Sequence, residues 1–240
     1  LSRTHAQASF TFSGQVKELL WRVLPDDRTP SFLEIWLPSP LPTYPSSRLT
    51  LKITSPTGTV RTIKEFQATQ YFDSLVGQYG RVVWSVPNPS SGRARFTLMA
   101  GATAEHVPYP VYNPPLLSPV GTWKIELTHT GGLSAGDIVH AWIWRDDTIY
   151  GFPLHGRQSY LHHADYNRLD GAGRDLEVDN SSLVKRVSTI NSLATGPSTI
   201  VIGGYLGKES VMAKYSAAGA KTPAATPRRP DASTISEDSR

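Results

Sequence analysis

Residues 122–128 read TWKIELT, and residues 137–144 read DIVHAWIW. In both, apolar side chains fall on every second position, so an extended chain buries one face and wets the other. The same alternation runs, in part or throughout, through residues 5–12 (HAQASFTF), 17–24 (KELLWRVL), 31–37 (SFLEIWL), 48–54 (RLTLKIT), 60–66, 81–86 and 93–99. No window before residue 150 sustains apolar positions at i, i+3, i+4 and i+7 for three turns, so a helical reading fails. Turn formers separate the segments: Pro25-Asp26-Asp27, residues 38–45, Ser55-Pro56-Thr57-Gly58, residues 87–92 and Gly131-Gly132. Nine short strands at this spacing predict a mainly β fold over residues 1–150, two antiparallel sheets packed as a β-sandwich or jelly roll.

Composition agrees with a packed domain. Of 240 residues, 39% are hydrophobic and 18% charged, which excludes wholesale disorder. Cysteine is absent, so neither disulfides nor thiolate metal sites are available and packing must hold the core. The net charge of +4 invites a nucleic-acid reading. Its distribution argues against one. Residues 207–240 hold six Lys or Arg and four acids, leaving +2 over the first 206 residues, with no basic run interleaved with aromatics. No run approaches a membrane span. The chain opens on Leu1 with no basic-then-apolar leader, which reads as a piece of something longer.

Residues 151–182 read as an irregular connecting segment in which charge and histidine concentrate. Asp165, Asp170, Asp175, Glu177 and Asp179 are a candidate calcium cluster, since calcium takes six to eight oxygens and Gly171 and Gly173 permit a tight loop. Their spacing is not that of an EF-hand, and a solvated acidic loop balanced by Arg168 and Arg174 is the competing reading. His155, His162 and His163, completed by Asp165, are a candidate zinc or nickel site. On a strand, however, adjacent histidines point to opposite faces. Ser159 beside His162 or His163 has the composition of a triad but no oxyanion element. Among the tryptophans, Trp21, Trp36, Trp84 and Trp123 sit in alternating apolar positions, the pattern of a core, while Trp142 and Trp144 share a strand face. A sugar-stacking platform is the alternative use of these rings.

Toward the C-terminus, residues 182–194 read as a short helix or turn. Residues 199–205 (TIVIGGY) form a continuous apolar run, and residues 195–206 are expected to contain an isolated buried strand outside the sandwich. From Gly219 the chain turns to Pro, Ala, Ser, Thr and charge, expected as an extended or flexible tail over residues 219–240.

The segment 189–216 (TINSLATGPSTIVIGGYLGKESVMAKYS) resembles the late part of the catalytic domain of subtilisin-like serine proteases, the subtilases of peptidase family S8. There a strand reading roughly "vI-x-VGA/GGY" precedes a short hairpin and an "x-a-x-fS-s-xG" element. Residues 200–204 match the first, and Ala213-Lys214-Tyr215-Ser216 with Gly219 the second. Arg229-Pro230-Asp231 stands where the family has "kPDv-APG", but Ala-Ser-Thr follows Asp231 and the Pro-Gly turn is missing. Residues 121–125 (GTWKI) and 138–145 (IVHAWIWR) are similar to the jelly-roll or proprotein-type domains that some of these proteases carry. The resemblance implies a partial subtilisin-like α/β segment over residues 183–218, with the β-domain inserted ahead of it.

The family's catalytic marks are not matched. His155-Gly156 runs on into Arg157-Gln158 rather than Thr-His, Asp170-Gly171 lacks the family's context, and no Gly-Thr-Ser occurs. The resemblance therefore implies no catalytic residue here. It implies a non-catalytic portion of a serine endopeptidase, inactive alone, that braces the fold or presents a surface to substrate or partner. Its partners would be the rest of the protease domain or a protein or peptide substrate, in a secreted setting. The rival is a free-standing β-sandwich module that binds a glycan or a protein.

Overall fold

A computed structural model describes residues 3–75, 77–105, 116–145, 155–166, 181–189, 199–207, 211–213, 219 and 231–237. The chain divides into two compact units. One comprises residues 6–163, and the other comprises residues 1–5 with 164–240. Among the described residues there is no α-helix, and so no helix long and apolar enough to cross a membrane.

The first unit is a β-sandwich. Its strands are β1 (His5–Ser9), β2 (Val16–Val23), β3 (Ser31–Trp36), β4 (Leu49–Thr54), β5 (Val60–Lys64), β6 (Gln70–Ser74), β7 (Gly77–Asn88), β8 (Arg93–Ala100), β9 (Gly121–His129), β10 (Ile138–Ile143) and β11 (Tyr160–His162). One sheet runs β1-β10-β3-β8-β7-β6, and the other runs β11-β2-β9-β4-β5. The pairs β10–β3, β3–β8, β8–β7 and β7–β6 are antiparallel, as are all four in the second sheet.

All nine segments read from alternation are strands. Two strands escaped that reading. β6 buries only Phe72, as suits a short edge strand. β11, three residues long, lies inside the stretch read as irregular and pairs with β2, Leu161 opposite Trp21.

The inward rows supply the core: Leu33, Ile35, Leu51, Ile53, Val82, Phe96, Leu98, Ile125 and Leu127 are all within 1% of full burial. Trp21 and Trp123 face each other in register on β2 and β9, rings 6.0 Å apart. Phe72 of the opposite sheet meets Trp123 edge-on at 4.9 Å. Gly80 makes the room. A Cβ there would stand 2.8 Å from the Met99 carbonyl oxygen and 3.2 Å from Trp123 Cη2. The two sheets are also joined at one side, where Arg61 on β5 donates to the Tyr71 carbonyl (2.6 Å) and to Asp73 Oδ1 (2.5 Å) on β6.

In the second unit lie β12 (Val184–Lys185), β13 (Ile202–Leu206), β14 (Val211–Met212) and β15 (Ala232–Glu237). β13 joins neither sheet of the sandwich, as expected, but it is not isolated. β14 lies antiparallel on one side and β15 parallel on the other. Asp231 N donates to the Val201 carbonyl (2.7 Å), and Val201 N donates to Asp231 Oδ2 (2.8 Å), which ties the start of that parallel pair. Two expectations are corrected. Ile202 is 61% exposed, so the apolar run is not a buried strand. The stretch read as a tail contains β15, because a parallel partner can order a chain that has no apolar alternation of its own. Of residues 182–194, those described are bends around β12 rather than a helix.

Candidate functional site

Of the candidate calcium ligands, Asp165 is an exposed turn residue after β11, while Asp170, Asp175, Glu177 and Asp179 lie outside the described residues. The histidine site does not assemble. His155 and His162 are exposed, His162 points outward from β11 opposite Leu20, and no three metal-ligating side chains come together among the described residues. Ser159 is fully buried, its hydroxyl without a hydrogen-bond partner among the described residues, while His162 faces solvent. A nucleophile needs a base within hydrogen-bond reach and access to substrate. The Ser159 pairing offers neither.

The tryptophans divide differently from the sequence reading. Trp21 and Trp123 are core residues, with no exposed surface. Trp84 is only half-buried, packed on Phe66 at 4.7 Å. Trp36 is not a core residue either. On β3 the inward parity belongs to Ser31, Leu33 and Ile35, which places Phe32, Glu34 and Trp36 on the outer face. The Glu34–Trp36 spacing carried that signal, since an acid two residues away shares its face.

Register extends this outer face across the sheet. His140 lies opposite Trp36, which lies opposite Arg95, which lies opposite Ser85. The next row is Trp142, Glu34, Thr97 and Val83. A third row holds Phe32, Met99, Arg81 and Tyr71, and Trp144 extends it past the end of β10 through a hydrogen bond from its N–H to the Phe32 carbonyl (3.0 Å). Glu34 sits at the centre, accepting Trp36 Nε1–H at 2.8 Å and ion-paired to Arg95. Arg93 and Arg95 lie over the Trp36 ring at 5.4 and 5.3 Å. His140 stacks on Trp142 with centroids 4.8 Å apart and planes 7° from parallel. Burial, then the charge of Arg93, pushes the His140 pKa down to about 4.

The opposite outer face is of another kind. There Lys52 pairs with Glu126 (3.1 Å) and Lys124 with Glu18 (2.8 Å), among Thr50, Thr54, Thr122 and Thr128. Glu18 beside Lys124 raises the ammonium pKa, and the hydrogen bond from Lys52 lowers that of Glu126. Alternating lysine and glutamate across strands is an ordinary solvated sheet surface.

A buried polar cluster was invisible in the sequence. Asp27, 1% exposed, accepts from Thr29 N (3.0 Å), Thr29 Oγ1 (2.8 Å), Ser31 Oγ (3.1 Å) and Arg157 N (3.2 Å). Its donors all lie in the protein, so it organises the β2–β3 turn and the chain entering β11 rather than facing a ligand.

No protein-family model matches this sequence, and no curated protein matches it. Among solved structures, that of the Clostridium perfringens CspB protease is similar to this chain, with a TM-score of 0.58 and 13% identity. The alignment covers 97% of this chain and 38% of that one. At such identity the likeness is one of fold.

Proposed function

We propose that this chain is a non-catalytic portion of a subtilisin-like serine endopeptidase, an inserted β-sandwich together with part of the catalytic sheet. It braces the protease fold or presents a surface to substrate or partner. The observation that carries the reading is the parallel β13–β15 pair, tied by Asp231 and Val201, in contrast to the antiparallel β10–β3–β8–β7–β6 and β11–β2–β9–β4–β5 pairings of the sandwich. Parallel strands belong to α/β sheets and do not arise from hairpins. β13 falls on the segment whose sequence resembles the subtilase strand, and β15 begins directly after Asp231. The fold likeness to a protease structure over 97% of the chain points the same way.

A fluorophosphonate probe tests the absence of a serine nucleophile. The purified chain is expected to remain unlabelled, and a stoichiometric covalent adduct sinks the proposal. The reading frame supplies the positive test: codons for His-Gly-Thr-His upstream of Leu1, and for Gly-Thr-Ser-x-Ala-x-Pro beyond Arg240. A free-standing module that binds a protein or glycan is the second reading, favoured by the aromatic and arginine-rich outer face. A stop codon directly after Arg240 would select it.

A further inference from the structure

The two outer faces of the sandwich differ in the way that separates interface from ordinary surface. Trp, Tyr, Phe, Met and Arg are enriched at the centres of protein interfaces, and Lys and Glu are depleted there. The β9 face carries Lys52, Lys124, Glu18 and Glu126 among threonines, with Val16, Leu20 and Arg22 of β2 beside them, and no tryptophan, phenylalanine or methionine among the positions paired across it. The β3 face holds Phe32, Trp36, Met99, Trp142, Trp144 and Tyr71 with Arg81, Arg93 and Arg95, and no lysine among the positions paired across it.

We propose that the row Trp144, Phe32, Met99, Arg81 and Tyr71 docks a carboxylate-bearing polypeptide segment of another protein. The row crosses from the end of β10 to the edge strand β6, with Trp144 47% and Tyr71 41% exposed at its two ends. Trp144 is braced against Phe32, rings 4.8 Å apart, and Arg81 Nε donates to Met99 Sδ at 2.9 Å. The anchors are thus held in place before any partner arrives, which lowers the entropic cost of binding.

Charge selects the partner. Arg95 is neutralised by Glu34, but neither Arg81 nor Arg93 makes an ion pair among the described residues. Uncompensated arginines beside exposed aromatic rings are complementary to carboxylates. A stacked sugar is a poorer fit. Arg93 and Arg95 lie over the Trp36 ring, His140 covers a face of Trp142, and Trp144 leans on Phe32. The inference holds whether or not the chain comes from a protease, and fluorophosphonate labelling does not bear on it.

The test is titration of the full chain with a random glutamate–tyrosine copolymer, followed by tryptophan fluorescence. Saturable binding is expected, weaker as salt rises from about 50 to about 200 mM. Arg81→Glu and Trp144→Ala should each weaken it about tenfold or more. Lys124→Gln, on the opposite face, should leave it unchanged, and all variants should unfold cooperatively with thermal midpoints within a few degrees of the parent. Three results overturn the proposal: no saturable binding, equal loss in Lys124→Gln, or tighter binding of heparin or single-stranded DNA than of the copolymer.

Discussion

Arg48 Nη2 donates to Glu65 Oε1 at 2.8 Å and Arg48 Nε to Glu65 Oε2 at 3.2 Å, a two-point ion pair with both side chains almost wholly removed from water. The pair also holds backbone. Arg48 N donates to Glu65 Oε2 (2.7 Å), and Arg48 Nη1 donates to the carbonyls of Pro38 (2.5 Å) and Pro40 (2.7 Å). Those carbonyls belong to the connection that carries the chain from β3 in one sheet to β4 in the other. One buried guanidinium thus fixes a proline-rich crossover that has no secondary structure to satisfy its own carbonyls.

Breaking this pair should cost far more than replacing it. Glu65→Ala leaves a buried uncompensated arginine and should destabilise by about 3–5 kcal/mol, whereas Arg48→Met with Glu65→Leu should lose appreciably less. Urea midpoints of the parent, single and double variants decide this. A double variant at least as unstable as Glu65→Ala would show that the pair is not the cause.

Gly80→Ala should destabilise by about 1–3 kcal/mol through overpacking. The new methyl would meet the Met99 carbonyl at 2.8 Å and the rim of Trp123 at 3.2 Å, and the backbone partner cannot swing away as a side-chain tip would. A thermal midpoint within a degree of the parent would refute the close approach.

The tryptophans should split by face. Trp21→Ala opens a cavity beside Trp123 and should cost about 3–5 kcal/mol, while Trp144→Ala should cost about 1 kcal/mol or less. Denaturation curves for the two variants test the division, and similar losses would contradict it.

His140 should make the sandwich acid-sensitive. Its folded pKa of about 4 lies below the ordinary 6.5, so the unfolded chain binds the proton more readily. Stability is fully present above about pH 6.5, declines as pH falls toward 4, and levels off below. The total is roughly 1–3 kcal/mol, discounted because the ring is only half-buried. His140→Phe should flatten that part of the stability profile. An unchanged slope between pH 6.5 and 4 would assign the acid sensitivity elsewhere.

The sandwich strands were legible because alternation is a local property: TWKIELT and DIVHAWIW carry their inside and outside within a few residues. The strands that escaped, β6, β11 and β15, owe their existence to a neighbour. β11 is ordered by β2 and β15 by β13, and no residue within either predicts its partner. The acidic and histidine residues after position 150 drew attention by composition. The outer face of β3, β8 and β10 did not, since its members stand far apart in the chain.

By itself the sequence determined the fold class, the nine main strands and the lack of any subtilase catalytic motif, because periodicity, turn chemistry and short motifs are all local. Only the tertiary structure decided which tryptophans are core and which are surface. It alone set Arg48 against Glu65, and it alone assembled Trp144, Phe32, Met99, Arg81 and Tyr71 into one row. The physical reason is register. A strand's own pattern states which residues share a face, but hydrogen bonding between strands distant in sequence chooses which faces meet and which side chains stand opposite one another.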